Sequence, residues 1–318
     1  MDACVRQLAV IVFVAVCSLI ANTAQAQGTL EDILAQTRRH VTNVGSLSYT
    51  SGTQRLGPDG SLLSSTDHDF KYDSGRYYSS ARSTTKDGEF DRTFAYNGEV
   101  FQELDPQQAS LYLRRKIEKG RVRYPTPEPL TLAYLFAIEP LPGNEISLDL
   151  LKQDRTWARL GEIGRHVGQD TVRDQPCEVA EFTLAAPNGN TVVYKVAFAR
   201  NLGMFPIKLE AKLNGEALTA VQEVEDVLVD DASNPPLVLP LAISTHGYNP
   251  DGSLHHTTKV GMRRETIEIN KGIPEEVFTI PRSQLRVGLR LRPQHGYEQG
   301  RKPARGVGRF AKHSNRHL

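Results

Sequence analysis

Apolar residues recur along this chain in two rhythms, and the change from one to the other falls near residue 45. Leu30, Ile33, Leu34, Thr37, Val41 and Val44 stand three and four residues apart, which predicts one helix with a single apolar stripe. Thr29 and Asp32 have capping-box spacing at its start, so the hydroxyl can satisfy an orphan amide while the acid sits at the positive end of the helix. Gln36, Arg38, Arg39 and His40 fill the polar side, and Gly45 is the expected stop. From residue 46 the pattern shortens to strand-length segments over residues 46–55, 62–72, 76–84, 89–96, 99–104 and 111–116. Gly57-Pro58-Asp59-Gly60, Ser74-Gly75, Lys86-Asp87-Gly88 and Asn97-Gly98 punctuate them at hairpin spacing, and Asn97-Gly98 predicts a two-residue type I′ turn. This is the pattern of a β-meander.

A Pro-marked loop follows at residues 124–129, and then residues 130–138 are apolar nearly all round until Pro140. That run is too short to span a bilayer and predicts a buried helix. Strands resume over residues 156–163, 166–172, 177–184, 191–199, 205–213, 216–229, 237–248 and 253–269, with turns at 187–190, 201–203, 214–215 and 249–252. So many strands joined by short turns imply one large, curved antiparallel sheet, because sequential hairpins set neighbours side by side and their twist accumulates. The expected fold is mainly β with minor α: one curved antiparallel sheet with an N-terminal helix and a second, apolar helix available to cover it.

The first 26 residues stand apart from both rhythms. Arg6 precedes an apolar run from Leu8 to Ile20, and Ala24-Gln25-Ala26 places small residues where a signal peptidase reads, so an export signal cleaved before Gln27 is expected. A membrane anchor is the rival reading, but the run is shorter than the roughly 18 to 20 residues that a spanning helix needs. Val16 before Cys17 is a poor fit to a lipidation site. Loss of Cys4 and Cys17 with the signal leaves Cys177 as the only thiol, so no internal disulfide can form and a hydrophobic core must hold the fold. The absence of an Asn-x-Ser/Thr sequon favours a bacterial envelope over a eukaryotic secretory route.

The formal net charge of +1 hides an asymmetry, because residues 286–318 hold nine basic side chains against one acid, Glu298. An acidic body therefore carries a basic tail. The tail is poor in large apolar residues and is expected to be mobile, either as a solvated extension or resting on an anionic membrane face; export argues against nucleic acid as its partner. The expected division is a signal over 1–26, one domain over 27–285 and the tail over 286–318.

Catalytic signatures are missing: no Gly-x-Ser-x-Gly elbow, no phosphate-binding Gly-rich loop, no Cys-x-x-Cys pair and no His-Glu-x-x-His helix. Asp67-His68-Asp69 and Asp87-x-Glu89-x-Asp91 place acids at alternating positions, which either hold a hard cation or form a polar outer strand face; the cation cage would need more ligands. His246, His255 and His256 flank one hairpin, so a zinc site across its two strands is conceivable; with no further ligand evident they read as exposed hairpin histidines. Cys177 has no basic neighbour to activate it and reads as a small core residue. No catalytic residue, metal or cofactor is expected. What remains is an apolar surplus: Tyr72, Tyr78, Phe94, Tyr96 and Phe101 in the first meander, Phe182, Tyr194 and Phe198 in the second, and Leu132, Leu135 and Phe136 in the apolar helix. A sheet closed over by helices either packs these into a solid core or lines a cavity with them.

The helix over 29–44, the segment Phe70-Lys71-Tyr72-Asp73-Ser74-Gly75-Arg76-Tyr77-Tyr78 and Phe94-Ala95-Tyr96-Asn97-Gly98-Glu99-Val100-Phe101 carry a resemblance. Residues 193–196, 205–210 and 269–278 continue it. The ordered pattern resembles the periplasmic lipoprotein carriers of the LolA and LolB type and the broader lipoprotein-sorting proteins, over about residues 28–281. That resemblance implies an incomplete barrel under a helical lid, which shields a lipid, a lipoprotein acyl chain or another long apolar ligand from water and performs no chemistry. It also implies a polar gate, for which Arg55 and Arg76 are the candidates. The alternative is an envelope sensor of similar fold that signals to a protein partner. Two departures stand out: the mature chain is longer than a typical carrier, and the basic tail is extra.

Overall fold

The computed structural model describes residues 29–105, 110–114, 152–185, 189–280 and 290–293. The expected signal, and the apolar run 130–138 with Leu132, Leu135 and Phe136, lie outside the described residues. Helix α1 spans Leu30–Thr42, and its capping box forms as the spacing requires: Thr29 Oγ1 accepts from the Asp32 amide at 3.1 Å while Asp32 Oδ2 accepts from the Thr29 amide at 3.1 Å. Ile33, Leu34, Thr37, His40 and Val41 form its buried face. His40 is thus on the core side, not the polar side expected for it. Position 40 lies seven residues after Ile33 and three after Thr37, so helical geometry carries it onto the stripe, and three partners satisfy the ring there. Its Nε2 meets the Gly203 carbonyl at 2.9 Å, its Nδ1 accepts from the Val238 amide at 3.3 Å, and Phe205 meets it edge-on at 5.5 Å. The helix stops at Asn43, before Gly45; the Asn43 amide closes the last turn on the Arg39 carbonyl at 3.1 Å.

Two antiparallel meanders make the sheet. The first comprises β1 (Ser46–Leu56), β2 (Leu62–Asp73), β3 (Arg76–Thr85), β4 (Gly88–Tyr96), β5 (Phe101–Asp105) and β6 (Ser110–Arg114). Helix α2 (Asp154–Ile163) then leads into β7 (Gly164–Val172), β8 (Gln175–Ala185), β9 (Thr191–Ala199), β10 (Phe205–Leu213), β11 (Ala217–Asp230), β12 (Leu237–Tyr248) and β13 (Leu254–Met262), followed by β14 (Glu268–Ile269) and β15 (Arg290–Pro293). The strand order is β15-β6-β5-β4-β3-β2-β1-β13-β12-β11-β10-β9-β8-β7, with β14 pairing β1. Strand β1 is the seam: it pairs β2 on one side and β13 and β14 on the other, joining the two meanders. Strands β7 and β15 end the sheet without meeting, so the barrel is open.

Four details depart from the sequence reading. Residues 156–163, expected as a strand, form helix α2, because Trp157 and Leu160 are three apart and bury together while Arg159 and Glu162 pair across the outer face at 2.7 Å. Asn97-Gly98 is not a two-residue turn. Tyr96 pairs Phe101 across a four-residue loop, in which Asn97 Oδ1 accepts from the Glu99 and Val100 amides at 3.0 and 2.8 Å, and only Gly98 of the pair has positive φ. Asn214-Gly215 instead has positive φ at both positions and closes β10 onto β11. The strand expected over 253–269 breaks after Met262, where Thr266 Oγ1 takes over as acceptor for the Thr50 amide at 2.9 Å and a 3-10 turn at Arg264–Thr266 leads to β14. Finally, four residues of the expected mobile tail form β15, which pairs β6 in parallel.

Both helices cover one face of the sheet. Leu47, Tyr49, Phe70, Tyr72, Phe182, Val196, Phe198, Leu209, Leu237, Leu239, Leu241 and Met262 pack there against Ile33, Leu34, Val41, Trp157 and Leu160. A smaller cluster of Cys177, Val179, Ala197, Ala199, Phe205, Ile207, Val224 and Val238 forms a second core. Across β3 to β5, Tyr78, Ala95 and Leu104 are covered by Phe278 and Ile280 from the chain that follows β14.

Candidate functional site

Alternation along the strands decides which expected residues share the helix-covered face. Tyr72 pairs Tyr77, Tyr77 pairs Tyr96 and Tyr96 pairs Phe101, so these four side chains form one row across β2 to β5. Phe94 lies on the same side, two residues from Tyr96. Tyr77, Phe94, Tyr96 and Phe101 make an aromatic cluster with ring centroids 5.7 Å (Tyr77–Tyr96), 6.0 Å (Phe94–Phe101) and 6.4 Å (Tyr77–Phe101) apart. Tyr77 is the member that sequence reasoning missed, although the Ser74-Gly75 turn already sets it opposite Tyr72.

Tyr78 points the other way. It joins Phe278 and Ile280 on the opposite face, and Arg76 goes with it, its guanidinium 5.0 Å from the Phe278 ring centroid and 3.6 Å from the Asp73 carboxylate. Expecting Tyr78 and Tyr72 on one face overlooked that Tyr77 takes that place in the register. Arg55 lies on the helix-covered side by alternation with Leu47 and Tyr49, and it is exposed. Leu132, Leu135 and Phe136 lie outside the described residues.

In the second meander, Phe182 and Phe198 are fully buried in the core beneath the helices, and Tyr194 packs at its margin. Burial pushes the Tyr194 phenol above its ordinary pKa. Tyr72 anchors the floor of α1: Lys152 donates to its hydroxyl at 3.2 Å and to the Val44 carbonyl at 2.6 Å. Two rows cross the face. One runs Arg55, Thr258, Thr245, Gln222, Leu209, Val196, Ala180 from β1 to β8. The next runs His256, Gly247, Ala220, Ala211, Tyr194, Phe182, Gly164 from β13 to β7. Each passes from polar side chains near the seam to apolar ones near β7.

A groove of about 610 Å³ separates the two helices, lined by Leu30, Leu34, Ala35, Trp157, Ala158 and Gly161, with Arg38 and Asp154 ion-paired at its rim. A second hollow of about 370 Å³ adjoins His40, Leu202, Pro235, Pro236 and Val238.

The polar motifs resolve into local pairs. Asp67 meets Arg263 at 3.3 Å, Asp69 meets Lys71 at 2.8 Å and Asp91 meets Arg82 at 3.0 Å. His246 and His256 fall on opposite faces, since His246 pairs Thr257 and His256 pairs Gly247. Among the described residues no group of three or more His, Cys, Asp or Glu is placed to hold a metal ion. Cys177 is buried, and burial raises its thiol pKa, the opposite of activation.

An open antiparallel barrel with helices packed on one face is the class of fold these elements define. No family model matches the chain, and no curated protein matches it in sequence. Among solved structures it is similar to a DUF1329 family protein from Desulfovibrio piger, at 10% identity and a TM-score of 0.46, over 80% of this chain and 97% of that one. It is also similar to a LolA superfamily protein from Nitrosomonas europaea, at 11% identity and a TM-score of 0.44, over 79% and 98%. A putative outer membrane lipoprotein-sorting protein domain from Vibrio parahaemolyticus is a third, at 12% identity and 0.40, over 79% and 96%. The likeness is one of fold.

Proposed function

We propose that this chain is an exported, single-domain, non-enzymatic carrier that holds a lipid, a lipoprotein acyl chain or another long apolar ligand against the helix-covered face. The observation that supports this reading is the cluster of Tyr77, Phe94, Tyr96 and Phe101, which lies on that face yet forms a group separate from the core beneath α1 and α2. Aromatic rings present broad, rigid apolar surface, and each methylene buried against them contributes about 0.8 kcal/mol. A palmitoyl-sized chain therefore needs only part of its length covered to be retained. Native mass spectrometry of the protein purified from the envelope should show a co-purifying lipid, and an acyl-chain fluorophore should bind; failure of both sinks the proposal. Replacing Phe101 by Ser should weaken the fluorophore, with the far-ultraviolet circular dichroism unchanged.

One observation favours a second reading, a sensor that docks a protein partner. Leu62, Leu63 and Phe90 are 59%, 45% and 39% exposed, and they sit by the β1–β2 and β3–β4 turns, at the same end of the meander. Substituting Leu62 and Leu63 by Ser should leave acyl binding intact, while cross-linking in the envelope would lose any partner captured at this edge.

A further inference from the structure

The middle of the second row is made of small residues: Gly247 on β12, Ala220 on β11 and Ala211 on β10. Together they form a strip of small side chains across three adjacent strands, between His256 at the seam end and Tyr194 at the other. The imidazole of His256 lies directly over Gly247, so closely that a Cβ on the glycine would stand 2.5 Å from the ring. Beside the strip, two residues from Ala220 and on the same side of β11, Gln222 is only 3% exposed. Among the described residues, its Oε1 and the Nδ1 of His256 are both buried and find no hydrogen-bond partner. Most buried polar atoms in a folded protein are satisfied, and each one that is not carries a free-energy cost. Two such atoms flanking one strip of small residues on one face call for a group that brings donors to them. Burial holds the His256 pKa below its ordinary value, with Arg55 and His255 adding to the effect, so the ring is neutral near pH 7.

We propose that this strip, with Gln222 and His256 beside it, is the head-group end of the ligand site, built for an acyl chain that carries an uncharged, hydrogen-bond-donating head. The proposal rests on the carrier reading and deepens it. The acceptor Oε1 of Gln222 takes an O–H or N–H from the head, and neutral His256 and the Tyr194 hydroxyl complete the polar ring. The small side chains of Ala220 and Ala211 keep no bulk between the head and the backbone, and the chain would run from His256 across the seam toward the aromatic cluster on β3 to β5. Two sources offer this chemistry, a free monoacylglycerol and the acyl-amide end of a lipidated peptide.

Displacement of an acyl-chain fluorophore from the full chain separates the outcomes. The competitors share a palmitoyl chain: 1-palmitoylglycerol and palmitoyl-glycinamide carry donors, and methyl palmitate carries none. At least one donor-bearing ligand should compete about tenfold better than the methyl ester, the scale of one buried hydrogen bond, and the better of the two identifies the source. Gln222→Leu should remove that preference while keeping methyl palmitate binding, and should raise the melting temperature of the unliganded protein because it deletes an unsatisfied oxygen. Gln222→Met makes the same test with a more pliable side chain if leucine disrupts the sheet. Equal competition by all three ligands, or a preference that persists in both variants, overturns the head-group site and leaves carriage standing. No binding of the fluorophore or of any competitor overturns carriage and the site together.

Discussion

His40 shows how much one side chain can hold. It is buried on α1, accepts the Val238 amide at Nδ1 and meets the Gly203 carbonyl at Nε2, so it ties the helix to β12 and to the turn between β9 and β10. Burial is the leading cause that lowers its pKa from 6.5, working against the Gly203 and Leu202 carbonyls that favour the charged ring. A proton on Nδ1 would also abolish the acceptor for Val238. Because the native value lies below the unfolded one, the unfolded chain binds more protons on the acid side. The stabilising contribution of neutral His40 is therefore complete above about pH 6.5 and is lost progressively as pH falls toward the native value. Thermal melts between neutral and mildly acid pH should show a shallower acid decline for His40→Gln than for the parent, with a lower melting temperature at neutral pH. Parallel declines would remove His40 from the account.

Among the elements, the joints are more exacting than the strands. Gly164 connects α2 to β7, and a Cβ there would stand 2.7 Å from both the Leu160 carbonyl and the Phe182 ring. Gly164→Ala should cost about 1–3 kcal/mol through overpacking, and Phe182→Leu in the same chain should recover part of it; urea unfolding of the double-mutant cycle checks the coupling. Asn270 is the other joint. Its Oδ1 accepts from the Gly45 and Ser46 amides at 2.6 and 3.2 Å, its Nδ2 donates to the Asn43 carbonyl at 2.9 Å, and its backbone sits at φ 55°. Asn270→Ala should cost about 2–3 kcal/mol in urea unfolding, since it loses these bonds and strains the left-handed backbone. Asn270→Gly, which relieves only the strain, should recover the smaller part. Such joints also mark the limit of what the chain pattern reveals. The meander strands were legible because Gly, Asn, Asp and Pro punctuate them. Helix α2 was not, because a ten-residue segment with Trp157, Leu160 and Ile163 offers too few apolar positions to separate a helical period from a strand. The same arithmetic misassigned Tyr78: the aromatic run Tyr77-Tyr78 announces burial without saying which ring faces which side, and only pairing to Tyr72 decides it. Gln222 and His256 gave no signal, since an orphaned acceptor exists only once neighbours are placed.

At the scale of the whole molecule, the two meanders are held as one sheet by β1, and this predicts a single cooperative unfolding transition for both. Trp157 is the only tryptophan, and it is buried under α1 and against the core of the second meander. Its fluorescence should fall at the same urea concentration as the far-ultraviolet circular dichroism, which reports both meanders. Separate midpoints would mean that the meanders are independent units joined by chance of sequence. The seam has a further consequence, in time. Gly45, at the doorstep of β1, finds its partner Asn270 only 225 residues later, and β13 itself is among the last strands to be made. While the chain is being made, β1 can pair β2 at once but keeps its other edge bare until nearly all of the body has followed. Loop closure over such a span is slow, and an unpaired edge invites other strands. Final assembly is therefore gated by the appearance of β13, and the interval before it is when this protein most needs a chaperone.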